Sequence, residues 1–286
     1  MHRQIADASR LLGIQLGRSL GAKPGSLLLG IVGAVEFALR TRATGAAPKS
    51  CADEAADWIL STTAAYENHK EDRTPLADQP MAYPLREDPT FQIFKAIDGD
   101  RGQILAAVAK LGSEADYWAL TNSKVRSESG VSARRFTALY ENLSDCYSDA
   151  SETSIAAVVS RTNAALPPHL DLQRRLLYGS LLLSKEVTRS RLLGVLGLIE
   201  AFSPGSEAVM RRDQTVTAYA AACRSHISPE PRPSKLLLSL SIYAVLNALR
   251  GEAEYAHRVG TAGANPLHLR VLVEALQSVW PQKAGR

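Results

Sequence analysis

Aromatic residues are scarce in this sequence, at 6% of 286 positions, and cysteines number only three. Few aromatic strand formers, with Leu and Ala dominating the apolar residues, argue against a β-rich fold. Cys51, Cys146 and Cys223 are odd in number and far apart, with no C-x-x-C. That excludes a disulfide framework and a zinc knuckle, and each cysteine reads as a small buried hydrophobe in a reducing, cytoplasmic setting. Long apolar runs are missing too. The longest, residues 27–39, contains Gly30, Gly33 and Glu36. It falls short of the ~20 residues that span a bilayer, so no membrane insertion is expected. Arg10, Arg18 and Lys23 ahead of it loosely imitate a secretory leader, but Glu36 and Arg40 interrupt the required pattern.

Catalytic signatures are equally sparse. His2, His69, His169, His226, His257 and His268 are scattered, with no pair at i, i+4 and no H-E-x-x-H. No phosphate-binding P-loop and no dinucleotide fingerprint occurs. One formal match exists: Gly17-Arg-Ser19-Leu-Gly21 fits the G-x-S-x-G nucleophile pattern. That chemistry needs a strand before the serine, and the residues before Ser19 are helix-periodic instead. A serine hydrolase using Ser19 is therefore a remote reading. No catalytic residue, cofactor or metal site is assigned, and the chain is expected not to be an enzyme.

What is present is helix. Ile5, Ala8, Leu11, Leu12, Leu16 and Leu20 recur at helical spacing. Further helices are predicted at 26–42, 52–68, from 91, 100–112 capped by Asp100, 113–118 capped by Ser113, and from Ser132 along a face of Phe136, Leu139, Tyr140, Leu143 and Tyr147. Others follow at 151–166, 169–186, 188–202, 208–227, 234–250 and 266–280, with a polar break at 125–131. The prediction is an all-α, multi-helix globular bundle of about a dozen helices. Pro75, Pro80, Pro84 and Pro89 rule out a continuous helix there, so 69–90 reads as an extended arm or loop. Pro167-Pro168 divides an N-terminal region, 1–166, from a C-terminal one, 167–286, which can still pack as one domain. Residues 228–233 read as a stiff linker. One echo stands out: Ala34-Val-x-x-Ala-Leu-Arg40 and Ala244-Val-x-x-Ala-Leu-Arg250 close two helices that both start Leu-Leu-Leu. Duplication and coincidence both explain it.

Net charge is +4, and arginine outnumbers lysine 24 to 9. Residues 1–50 are basic, 51–100 acidic and 171–250 basic again. Such a layout suits an anionic partner or self-association, although a GC-rich genome also favours Arg over Lys. Arg134, Arg135, Arg174, Arg175, Arg189, Arg191, Arg211 and Arg212 are the candidate nucleic-acid contacts, because guanidinium groups grip phosphates without reading sequence. Asp171 and Glu207 stand four residues before Arg175 and Arg211, a spacing that equally makes helix-surface ion pairs.

Ala, Ser and Pro together fill 82 of 286 positions, 42 of them Ala. This bias, with the basic charge and helical character, resembles the proline-alanine-serine-rich proteins of polymycoviruses. The resemblance spans the chain by composition and maps onto no particular residue. It implies a coat-like, self-associating, non-enzymatic protein on viral RNA, double-stranded in that family, in the host cytoplasm. A bacterial all-α protein–protein interaction module is the alternative.

Overall fold

The computed structural model describes residues 25–43, 51–67, 90–225, 233–259, 266–278 and 280. Among them are twelve α-helices and no strand, so the fold is all-α. They are α1 (Gly25–Ala43), α2 (Cys51–Glu67), α3 (Thr90–Lys95), α4 (Gly99–Glu114), α5 (Asn122–Ser129), α6 (Ala133–Leu139), α7 (Leu143–Ala165), α8 (Leu172–Arg189), α9 (Arg191–Gly194), α10 (Ser206–Ser225), α11 (Lys235–Val259) and α12 (Pro266–Ser278). A 3₁₀ turn at Tyr117–Ala119 follows α4, and a π-helical turn at Val195–Ile199 continues α9. The predicted helix ending at Leu20, Ser19, the proline-rich segment up to residue 89 and the linker up to residue 232 lie outside the described residues.

Local capping explains where the helices differ from their predicted bounds. Asp98, not Asp100, is the residue before α4, and Asp100 pairs with Arg135 at 3.2 Å. Ser113 caps nothing: α4 runs through it to Glu114, and its hydroxyl donates to the Lys110 carbonyl. The predicted break at 125–131 is mostly helix, with Thr121 accepting from the Lys124 N–H at its start and Gly130 at φ 69° ending it. The helix starting at Ser132 is shorter than its periodicity implied. Ser132 caps α6 as predicted, but Asn142 accepts from the Asp145 N–H and starts α7, which then runs unbroken to Ala165. Tyr140, in the gap, donates its hydroxyl to Asp149 at 2.6 Å, where Arg101 also binds bidentately. Near the C-terminus, Gly251 does not stop α11, because the Leu29 side chain occupies the place where a Cβ would stand.

Two apolar clusters organise the bundle. One gathers α3 to α6 around the first half of α7, through Phe94, Ile104, Phe136, Tyr147 and, from α9 and the π turn, Leu192 and Leu196. The other joins α1 and α2 to α8 and to α10 through α12, through Phe37, Trp58, Leu181, Tyr243 and Leu272. Helix α7 serves both, with Tyr147 in one and Val158 in the other. The two helices of the sequence echo, α1 and α11, are direct partners. Phe37 stacks on Tyr243 with ring centroids 4.6 Å apart, and Asn247 packs against the bare face of Gly33. By length and composition α11 could cross a membrane, yet half of its most apolar window is buried in the bundle.

Where α8 and α9 meet α11, two titratable groups are half-buried. Glu252 accepts from Ser184, and His257 Nε2 lies 3.0 Å from the Val187 carbonyl. Burial pushes the Glu252 carboxyl up to about 7 from its ordinary 4.5, against the opposing Ser184 hydrogen bond. Between those values the folded chain holds a proton that the unfolded chain has released, so stability falls as pH rises through this window. Allowing for partial exposure, the expected loss from pH 4.5 to 8 is about 2 kcal/mol. Urea midpoints at both pH values should show this slope in the parent chain and a smaller one in Glu252→Gln.

Candidate functional site

Helices α7, α8, α10, α11 and α12 line a half-open cavity of about 1060 Å³. The reason is visible helix by helix. On α11 the residues Leu238, Ser241, Ile242, Val245 and Leu246 form one stripe at i, i+3, i+4, i+7 and i+8 and face the cavity. The opposite face of α11, with Leu240, Tyr243 and Ala244, is spent on the core. Many of the facing positions of α7, and Gly179 and Ser180 of α8, are small or β-branched, including Ser151, Ala156 and Val159, and they leave space unfilled. Val216 and Cys223 of α10 close another side, and the buried Trp280, packed with Ala220 and Leu238, directs its indole N–H at the Ser241 hydroxyl, 3.5 Å away.

The wall is mainly apolar in area, but hydroxyls and amides interrupt it, among them Ser151, Ser160, Asn163, Ser180, Thr215 and Gln277. Thr162 Oγ1 is buried without a hydrogen-bond partner. Burial pushes the Cys223 thiol up, with Tyr219 partly opposing the shift. The ionisable charges on the wall are Glu152, Arg175 and Arg212. Burial raises the Glu152 carboxyl above its usual range, and burial lowers the Arg212 guanidinium. Arg212 donates to the Gly197 carbonyl at 2.9 Å and lies over the Phe202 ring at 5.1 Å. Gly197 sits inside the π-helical turn, a distortion of the regular ladder that is frequent at functional sites.

The eight arginines singled out from the sequence are distributed over four helices, α6, α8, α9 and α10. Arg134 and Arg135 lie on α6, Arg174 and Arg175 open α8, Arg189 and Arg191 flank the α8–α9 junction, and Arg211 and Arg212 belong to α10. Most already have partners. Arg135 pairs with Asp100, Arg174 with Asp171 at 3.9 Å, and Arg211 with Glu207 at 2.7 Å and Asp145 at 3.2 Å. Arg175 donates to the Pro167 carbonyl, Arg191 to the Ser113 carbonyl, and Arg189 is engaged as well. The predicted Glu207–Arg211 pair forms, but Asp171 pairs with Arg174, not Arg175, because it caps α8 through the Arg174 N–H. Arg134 is exposed with no ion pair among the described residues. No group of three or more metal-ligating side chains occurs among the described residues.

Sequence reasoning found Arg175 and Arg212 but missed the cavity that both line. The available signal was the second apolar face of residues 235–259. What that face meets depends on helix packing, which spacing alone does not reveal. Comparison of the chain with protein-family models, with curated proteins and with solved structures finds no match.

Proposed function

We propose that this chain is a non-catalytic binding protein that holds an apolar ligand between α7, α8, α10, α11 and α12. The cavity of about 1060 Å³ carries this reading. It matches the upper end of small-molecule sites, roughly 300–1,000 Å³. Filled with solvent, it takes up roughly 35 water molecules at ~30 Å³ each, many of them against apolar walls. An apolar occupant releases that water, at about 25 cal/mol per Å² of surface covered. Purified protein should therefore bind an uncharged apolar fluorophore saturably. Val159→Trp, which fills the space from α7, should weaken that binding at least tenfold while keeping the helical circular-dichroism signal. Parent protein that takes up no probe at micromolar concentration would count against the reading.

A second reading keeps the RNA expectation: coat-like, sequence-independent association with RNA phosphates by a self-associating chain. It is favoured by Arg134, exposed and without an ion pair among the described residues, beside Arg135, whose side chain is 68% exposed. Surface pairs such as Arg135–Asp100 are worth only about 0–1 kcal/mol and are readily exchanged for phosphate. A gel shift with double-stranded RNA should then show retention at 50 mM salt and its loss by about 200 mM, weakened by Arg134→Ala with Arg135→Ala. Absence of retention at low salt ends this reading.

A further inference from the structure

Resting on the cavity reading above, we propose that the occupant is a single-chain anionic amphiphile, its acidic head on Arg212 and its tail along the apolar stripe of α11. Three observations converge on Arg212. First, it lines the cavity while its neighbours on α10 have spent their charges elsewhere: Arg211 on Asp145 and Glu207, Asp213 on Arg40. Second, its guanidinium has five N–H donors, of which one reaches a backbone carbonyl, and among the described residues no carboxylate lies within ion-pair distance. A partly buried cation in that state is costly, and an incoming anion relieves it. Third, the Gly197 carbonyl and the Phe202 ring fix the guanidinium in place, so a ligand need not order it.

The other charges on the wall set the polarity of the ligand. Arg175 belongs to the far end: its field is felt at Tyr219, seven residues and about 10 Å along α10 from Arg212. Its guanidinium is held by the Pro167 carbonyl. Glu152 shares the Arg212 end and opposes an anion there. An acidic head at Arg212 therefore competes with Glu152, and removing that carboxylate should tighten binding. The apolar wall includes α11's Ile242, Val245 and Leu246 with Ile155 and Val159 of α7, which suits an unbranched hydrocarbon tail.

The test compares oleate with oleyl alcohol, which share a tail and differ in head charge. Affinities are measured by displacement of the apolar fluorophore from the full chain below the critical micelle concentration. The parent protein should bind oleate about tenfold more tightly than oleyl alcohol. Arg212→Gln should erase that preference by weakening oleate alone, Arg175→Gln should leave most of it, and Glu152→Gln should enlarge it. Equal affinity of the parent protein for both ligands, with Val159→Trp still abolishing both, overturns the headgroup assignment and leaves the cavity reading standing. Failure of both ligands and of the fluorophore overturns the cavity reading itself. If Arg212→Gln does not fold, the oleate preference of the parent protein and its change in Glu152→Gln still decide the matter.

Discussion

Replacing Gly194 by alanine should lower the unfolding free energy by at least about 3 kcal/mol, while the same substitution at Gly179 should raise it by about 0.5–1 kcal/mol. Both glycines are helical, so the propensity gain is the same. The surroundings differ. A Cβ on Gly194 would stand 2.6 Å from the Val187 carbonyl oxygen and 2.5 Å from His257 Nε2. The first of these is backbone and cannot swing aside, so α9 must separate from the end of α8. A Cβ on Gly179 meets only Leu166 and Thr162 side-chain carbons, at 3.7 and 3.9 Å. Urea midpoints of the two variants against the parent chain check both signs. A neutral Gly194→Ala would mean that the α8–α9–α11 junction is looser than described.

The second large effect concerns Asp213. Its carboxylate receives two hydrogen bonds from Arg40, at 2.8 and 3.0 Å, and the hydroxyl of Tyr243, tying α1, α10 and α11 together. The Asp213 side chain is 19% exposed and that of Arg40 31%. Asp213→Ala strands a guanidinium and a phenol in a half-buried setting, and unfolding should become easier by about 3 kcal/mol. Removing both ends, in Arg40→Met with Asp213→Ala, should cost less than the two single changes combined, because no charge is then left unpaired and only the Tyr243 hydroxyl loses its acceptor. Additive losses in this cycle would mean that the pair is not coupled.

The all-α character was legible because it rests on local chemistry. Proline at 266, the cap at Ser132 and the Ala/Leu-rich spacing each act within a few residues. Misreadings arose where one side chain outweighed periodicity. Asn142 splits what the spacing of Phe136, Leu139 and Leu143 presents as one helix. Helix α5 went unseen because Val125 is its sole buried residue, so it has no apolar stripe to read. The helix predicted to end at residue 250 continues through Gly251, whose bare face admits Leu29 from α1. The arginine pairs were visible as charges, but their partners come from other helices: Asp100 for Arg135, Asp145 for Arg211 and Ser113 for Arg191. The cavity is a property of five packed helices, and no spacing within any one of them reports that their small residues face each other.

The central claim is that this space between the helices is a ligand site, and isothermal titration of the purified chain with the uncharged apolar probe tests it most directly. The prediction is saturable binding at one site per chain with a negative heat-capacity change, the mark of apolar burial. Val159→Trp and Ser180→Phe should each abolish it without lowering the thermal midpoint by more than a few degrees. Absence of saturable heat in the parent chain, or unchanged binding in both filled variants, would contradict the account.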